Sequence, residues 1–274
     1  GDSTSEGYCV NDEYLTKYNL EKIGFNVFNF AKGGNGPLIE YATLREYISI
    51  GEFETIIWAF YPNDLSNLIQ EYEDSVLIKY LENDEFTQNI RFNQKIVDDF
   101  YINNSDGYKQ YFNFINEEDS KKLDDKFQKL SEIDYFSKKL NLSKYTFLDL
   151  ITLKALFFDI KSRINFIKTK IKQRNSYSIF SDLMVKTKKL TDKNNSKLLF
   201  VYLPSRIEIL NEIPADKKII DILVKNKIDY IDMNKEIVGK VSYEEAYNYG
   251  LDDVHYNEKI YKLISDNIVN YFDK

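Results

Sequence analysis

The sequence predicts an α/β fold in which helices cover a mostly parallel sheet. Short apolar stretches alternate with longer stretches of helical spacing, and this alternation favours parallel strands joined by helical crossovers. Three apolar stretches are typical strands, at residues 55–60, 197–203 and 229–232. The first is apolar on both faces, which is expected of a strand with helices on both sides.

The region before these strands is also predicted to be regular. Residues 11–23 should form a helix that Gly24 ends, because glycine readily takes the left-handed conformation found there. A further strand is expected at residues 26–30. Pro37 suits the first turn of a helix, and helical spacing continues over residues 38–48.

The last third of the chain continues the alternation. A helix is predicted at residues 214–225. Ser242 and Glu245 have the spacing of a capping box, which predicts a short helix ending near Gly250. Asn257 should cap a final helix with one apolar stripe. That stripe consists of Ile260, Leu263, Ile264 and Ile268.

Composition limits the classes of protein to consider. With 274 residues, 43% of them hydrophobic, the chain can bury a sizeable core as one domain or one domain with an insertion. A net charge of −7 argues against nonspecific binding of nucleic acid. No run of about 18 apolar residues is present, so no membrane-spanning segment is expected. Because the sequence begins at Gly1, loss of an upstream signal or anchor stays open, and so does the localisation.

The chain contains one histidine, His255, and one cysteine, Cys9. Zinc sites that need several such ligands cannot be assembled from them. The glycines of residues 33–36 lack both the dinucleotide fingerprint and the lysine-serine ending of a nucleotide loop. We therefore expect no cofactor and no metal, and we expect Cys9 to be a core residue.

Four short motifs carry the polar residues of greatest interest. They are Gly1-Asp2-Ser3, the loop ending in Gly33-Gly34, Pro62-Asn63-Asp64, and Asp252-Asp253-Val254-His255. Loops that leave the carboxyl ends of strands in an open parallel sheet meet at one edge, where ligands bind. A serine hydroxyl is a poor nucleophile until a base takes its proton, and His255 is suited to that task near neutral pH.

Taken together, the four motifs resemble those of the SGNH (GDSL-type) hydrolase superfamily. The resemblance implies a three-layer flavodoxin-like sandwich, with Ser3 as nucleophile, His255 as base and Asp252 as the carboxylate that orients the imidazole. It also implies an oxyanion hole formed by the backbone N–H groups of Ser3 and Gly34 and the side-chain amide of Asn63. Such preorganised donors stabilise the charge that develops in acyl transfer, each by about 10²–10³ in rate.

The sequence departs from the family pattern at several positions. The family core begins with a strand that leads into the serine turn, and we expect that first strand to be absent from a chain beginning at Gly1. Thr4 replaces a leucine and Ala31 replaces a glycine. Tyr61 stands where the third motif usually has glycine, which affects how a bulky acyl group passes Asn63. None of these changes removes a catalytic group.

Residues 65–190 form a long insertion in the predicted core, which consists of residues 1–64 and 191–274. The insertion should be helical and should stand over the site as a cap that shapes substrate access. The alternative is a peripheral helical subdomain that only adds core. A basic stretch at residues 161–174 favours either an amphipathic helix on an anionic surface or a solvated helix end.

These observations lead to one expected function and three alternatives. We expect a serine hydrolase that acts on a carboxylester or a carbohydrate O-acyl ester through an acyl-enzyme. An O-acyltransferase that moves an acyl group to a glycan would use the same residues. An inactive glycan-binding relative would hold Ser3 and His255 out of reach of each other, and a purely structural protein would scatter the four motifs. The ligand is expected to be a small-molecule or glycan ester, and the oligomeric state stays open.

Overall fold

The computed structural model describes residues 1–93, 95, 176–247 and 255–273. Its sheet contains three parallel strands, β1 (Thr55–Phe60), β2 (Lys197–Tyr202) and β3 (Asp229–Asp232), in the spatial order β1-β2-β3. The β-branched and aromatic residues of these segments favour extended backbone. The α/β class and the three strand positions are confirmed.

The helices of the described residues follow in chain order. They are α1 (Ser3–Glu6), α2 (Thr16–Glu21), α3 (Pro37–Tyr47), α4 (Asp64–Glu71), α5 (Ser75–Glu82), α6 (176–193), α7 (Arg206–Leu210), α8 (Lys217–Lys225), α9 (Asn234–Ile237), α10 (Tyr243–Ala246) and α11 (Glu258–Phe272). Single turns of 3-10 helix lie at Asp12–Tyr14, Ile48–Ile50 and Ile90–Asn93. Every helix in this part of the chain is too short or too polar to cross a membrane.

Alternate side chains of the strands enter two separate hydrophobic clusters. Trp58 and Phe200 belong to the first cluster, whereas Leu199 and Val201 belong to the second. Successive side chains of a strand point to opposite faces, so the clusters lie on opposite faces of the sheet. Helices α3, α4, α5, α6 and α8 contribute to the first cluster. Helices α2, α7, α9, α10 and α11 contribute to the second.

Three predicted helix boundaries need correction. The helix expected at residues 11–23 is interrupted, because Leu15 is extended between a 3-10 turn and α2. The helix expected from residue 214 begins at Lys217, where the Asp216 side chain accepts a hydrogen bond from the Lys218 N–H and caps it. Helix α10 ends at Ala246 because the next residue is extended.

Other predicted features are confirmed. Gly24 has a φ of 102°, in the left-handed region. Ser242 and Glu245 form the capping box of α10, and the Asn257 side chain caps α11 by accepting from the Ile260 N–H. The predicted stripe of α11 faces the second cluster. Its members Ile260, Ile264 and Ile268 are buried, and Leu263 packs beside them.

The strand predicted at residues 26–30 is wrong. This segment has no regular structure, and Phe28 is 58% exposed. A strand needs a neighbour to pair its backbone groups, and within the described chain no strand pairs with this segment. The Asn29 side chain instead donates to the Ser5 carbonyl and accepts from the Ala31 N–H. These bonds compete with a ladder and turn the chain into the glycine loop.

The chain divides into two compact units. The first contains Gly1–Gln88 and Lys170–Lys274, and the second contains Asn89–Thr169. The predicted insertion at residues 65–190 therefore includes most of α4, all of α5 and most of α6, which belong to the first unit. Most of the remaining insertion, with the basic stretch, lies outside the described residues, and its role as a cap stays a prediction.

Candidate active site

The serine turn is built by local capping. The Asp2 carboxylate accepts a hydrogen bond of 2.9 Å from the Thr4 N–H and starts α1, so that Ser3 is the first residue of this helix. Gly7 ends it with a φ of 101°, and a side chain at that position would collide with Leu15. The first N–H groups of a helix have no partner within it, so the Ser3 N–H can be offered to a ligand.

Helix α11 brings the histidine to this turn. The Nε2 atom of His255 lies 3.0 Å from the Ser3 hydroxyl oxygen, although 252 positions separate the two residues. Tyr256, the next residue, is buried, and its hydroxyl donates to the Pro204 carbonyl. The Tyr261 hydroxyl donates to the Thr4 carbonyl at 2.7 Å, which ties α11 to α1.

The other side of the imidazole contacts the residues that follow α1. The Tyr8 ring stacks on the His255 ring, with centroids 5.3 Å apart and planes inclined by 25°. The Cys9 sulfur lies 3.7 Å from Nδ1 of His255. Cys9 is exposed, so the predicted core position is wrong. Its φ of 70° lies in the left-handed region, which is uncommon for a residue other than glycine.

The glycine loop lies directly against the serine turn. A Cβ atom added to Gly33 would lie 3.3 Å from the Cβ of Ser3 and 3.2 Å from a carboxylate oxygen of Glu6. That carboxylate accepts a hydrogen bond of 2.6 Å from the Gly33 N–H, and its other oxygen lies 2.5 Å from the ammonium of Lys32. Gly34 follows with a φ of 86°, which favours glycine.

The start of α3 joins this loop to α4. The Glu71 carboxylate accepts hydrogen bonds of 2.6 Å from the Gly36 N–H and 2.9 Å from the Leu38 N–H. A Cβ atom at Gly36 would lie 2.6 Å from the Cβ of Asn67, so only glycine fits there. Burial raises the pKa of Glu71, and the backbone hydrogen bonds act in the opposite direction. The second and third motifs are thereby fixed to each other.

The third motif presents its amide to the serine turn. The side-chain nitrogen of Asn63 donates to the Asp2 carboxylate at 3.3 Å. Asp64 closes the preceding turn by accepting from the Tyr61 N–H at 3.0 Å. Its side chain is fully buried, and this burial, with the nearby charges of Glu40 and Asp2, raises the pKa of Asp64 well above its usual value.

The predicted site residues therefore have different outcomes. Ser3 and His255 are within hydrogen-bond distance, the loop that carries Gly34 packs against Ser3, and Asn63 binds the residue before Ser3. Asp252 lies outside the described residues. In the described part of the chain, no group of three or more His, Cys, Asp or Glu side chains is placed to hold a metal ion.

Three neighbours of the site were missed by sequence reasoning. Glu6 carries one usable signal, since an acidic residue three positions after Ser3 shares its face of a helix. Tyr8 and Cys9 carry none, because their contacts to His255 depend on the fold alone.

The arrangement combines a base with a hydroxyl. An imidazole nitrogen 3.0 Å from a serine oxygen can accept its proton as that oxygen attacks an electrophile. Neutral donors around the same turn can stabilise a developing oxyanion. This geometry places a serine hydroxyl beside a histidine base. Comparison of the chain with family models, with curated proteins and with solved structures gives no match.

Proposed function

We propose that this protein is a serine esterase of the SGNH type, with the three-layer flavodoxin-like sandwich of that superfamily. Its substrates are carboxylesters or carbohydrate O-acyl esters. The observation that carries the proposal is the 3.0 Å separation between the Ser3 oxygen and Nε2 of His255. This distance is within hydrogen-bond reach, which argues against an inactive relative, and the meeting of the four motifs at the serine turn argues against a purely structural protein.

The proposed reaction has two steps. The Ser3 oxygen attacks the ester carbonyl carbon while His255 takes its proton, and the carbonyl oxygen becomes an oxyanion. The intermediate collapses as the C–O bond to the alcohol breaks, and the imidazolium gives its proton to the leaving oxygen. In the second step a water molecule attacks the acyl carbon while His255 takes a proton from it. The bond between the acyl carbon and the Ser3 oxygen then breaks, the imidazolium returns the proton to that oxygen, and the acid is released.

The oxyanion receives hydrogen bonds from three donors in this scheme. The Ser3 N–H lies at the start of α1. The Gly34 N–H belongs to the residue after Gly33, which packs on Ser3. The Asn63 amide is exposed and close to the serine turn through Asp2. Donors of this kind stabilise charge that is present only in the transition state and in the oxyanion intermediate beside it, so they raise kcat.

A fluorophosphonate probe tests the proposal. We expect the probe to label the peptide that contains Ser3, as read by mass spectrometry. Ser3→Ala should abolish both labelling and turnover of a short p-nitrophenyl ester. Ser5→Ala is the matched control, since Ser5 lies on the same short helix and should leave both signals intact. Labelling at Ser5, or no labelling of folded protein, would overturn the assignment.

An O-acyltransferase is the second candidate, and a cavity beside the third motif favours it. The cavity is lined by Phe60, Pro62, Leu65, Ser66, Ile69, Ser176, Tyr177, Tyr202 and Asp216. Pro62 joins it to Asn63, and the Tyr177 hydroxyl donates to Asp216 at 2.5 Å. Aromatic faces beside hydrogen-bond acceptors suit the ring of a sugar acceptor.

Partitioning of the acyl group separates the two activities. For a transferase, adding a sugar alcohol should divert acyl groups from water to that alcohol. Tyr177→Ala should then lower the ratio of transfer to hydrolysis while hydrolysis continues. A ratio that is near zero at every acceptor concentration would leave hydrolysis as the activity.

A further inference from the structure

Glu6 connects the nucleophile to the glycine loop. Its carboxylate lies at the end of α1, three residues after Ser3, and accepts from the Gly33 N–H at 2.6 Å. The same carboxylate binds the ammonium of Lys32 at 2.5 Å. One side chain thus holds two consecutive residues of the loop from the helix that carries the serine.

The glycine loop needs such a support because its own backbone can adopt many conformations. Residues 25–32 have no regular structure, and they lead into the two glycines of the second motif. Glycine loses more conformational freedom on ordering than any other residue. A donor that stabilises an oxyanion must be fixed before the reaction, since reorientation during catalysis removes its advantage.

We propose that Glu6 is a positioning residue, which fixes Gly33 and thereby holds the Gly34 N–H beside the Ser3 hydroxyl for oxyanion binding. This inference rests on the proposed esterase function. Glu6 acts through the loop and touches no reacting atom.

The chemistry of the contact supports this role. A hydrogen bond from a backbone N–H to an ionised carboxylate is shorter and stronger than one between neutral groups. Partial burial raises the pKa of Glu6, but the bonds from Lys32 and Gly33 outweigh that effect and the pKa is lowered overall. The carboxylate is therefore ionised at neutral pH. Lys32 is 66% exposed, so solvent weakens its ion pair and the bond to Gly33 carries the larger share.

Four variants test the inference. Glu6→Ala removes both contacts, whereas Glu6→Gln keeps an oxygen that can accept from the Gly33 N–H. Lys32→Met removes the ion pair alone. Glu21→Ala is the matched control, because Glu21 also pairs with a lysine on a short helix and its side chain is similarly exposed, 32% against 26% for Glu6.

The measured quantity is kcat per reactive serine, with the serines counted by complete fluorophosphonate labelling. We expect Glu6→Ala to lower this kcat by about 10-fold to 100-fold with KM within about twofold, because a small misplacement of a catalytic group costs that much. Glu6→Gln should recover a large part of the loss, and Lys32→Met should lose less than Glu6→Ala. The control should equal the wild type.

Two results would overturn the inference. One is a kcat per reactive serine within twofold of the wild type in Glu6→Ala. The other is a fall confined to the thermal midpoint and the labelled fraction, which indicates a purely structural residue. If the wild type itself is not labelled at Ser3, the proposed function has failed first, and the inference falls with it.

Discussion

The sulfur of Cys9 lies 3.7 Å from Nδ1 of His255, while Nε2 of the same ring lies 3.0 Å from the Ser3 oxygen. The two ring nitrogens therefore face two residues that are six positions apart in the chain. Tyr8 stacks on the ring between them. A segment of seven residues thus contains the proposed nucleophile and contacts the proposed base through Ser3, Tyr8 and Cys9, so a chemical change at Cys9 should affect His255 directly.

Alkylation of Cys9 should lower the proposed esterase activity. The thiol is exposed, and a carbamidomethyl group on it would push the imidazole away from Ser3. We expect iodoacetamide to lower p-nitrophenyl ester turnover by about tenfold or more, because catalytic geometry is that sensitive to displacement. Cys9→Ala should keep activity within a few-fold, since a thiol is a weak hydrogen-bonding group, and should resist the reagent.

Mass spectrometry supplies the check on that experiment. Full activity in a completely alkylated protein would show that the thiol does not control the imidazole. Equal inhibition of Cys9→Ala would place the reagent at another residue.

Asn63→Ala should lower kcat by about 10²–10³ with little change in KM, because the amide acts on charge that develops in the transition state. Asn226→Ala is a suitable control, since that amide donates to the Ile222 carbonyl at the end of α8. The thermal midpoints of both variants, measured beside kcat, separate catalysis from folding. An unchanged kcat in Asn63→Ala would remove this residue from the oxyanion hole.

Asp64→Asn should change how stability depends on pH. Burial raises the pKa of Asp64 in the folded protein, so above the ordinary aspartate pKa the unfolded chain has lost a proton that the folded protein still holds. Stability of the wild type then falls as pH rises, by at most about 1.4 kcal/mol per pH unit, until the raised pKa is passed. Asparagine has no such proton and can still accept from the Tyr61 N–H.

Thermal midpoints between pH 4 and pH 8 provide the measurement for Asp64. The variant should gain on the wild type as pH rises, by about 2–4 °C for each kcal/mol in a protein of this size. A difference that is constant over this range would mean that Asp64 titrates alike in the folded and unfolded states.

The sequence was informative where a pattern reports local burial. The strands at Thr55–Phe60 and Lys197–Tyr202 were predicted because each is an apolar run that ends at a proline or a polar motif. The segment at residues 26–30 has a similar pattern, yet a strand also requires a neighbour, and composition does not encode that neighbour. In the described part of the chain no strand pairs with residues 26–30, and this outweighs their apolar pattern.

In the candidate site, too, the sequence does not encode which residues become neighbours in space. The approach of Ser3 and His255 was predictable because the chain has one histidine and both residues lie in recognisable motifs. The contacts of Glu6 with Gly33 and of Cys9 with His255 span 27 and 246 positions and follow from how loops meet in space. Residue periodicity carries no information about such pairs.

The last prediction concerns the carboxylate that serves His255. Asp252 and Asp253 both lie close enough in sequence, but a residue three positions back in a tight loop can fold over to meet the imidazole, whereas one two positions back points away. Asp252 should therefore hold the tautomer whose Nε2 accepts the Ser3 proton and stabilise the imidazolium.

We expect Asp252→Asn to lower kcat by about 10²-fold or more, Asp253→Asn to change it by less than a few-fold, and His255→Ala to abolish turnover at neutral pH. Steady-state kinetics of the three variants, with circular dichroism to check folding, gives the answer. The reverse order for the two aspartates would mean that the loop geometry assumed for residues 252–255 is wrong. Small and equal effects would mean that the site works as a serine-histidine dyad, in which water or a backbone carbonyl orients the ring beside Cys9.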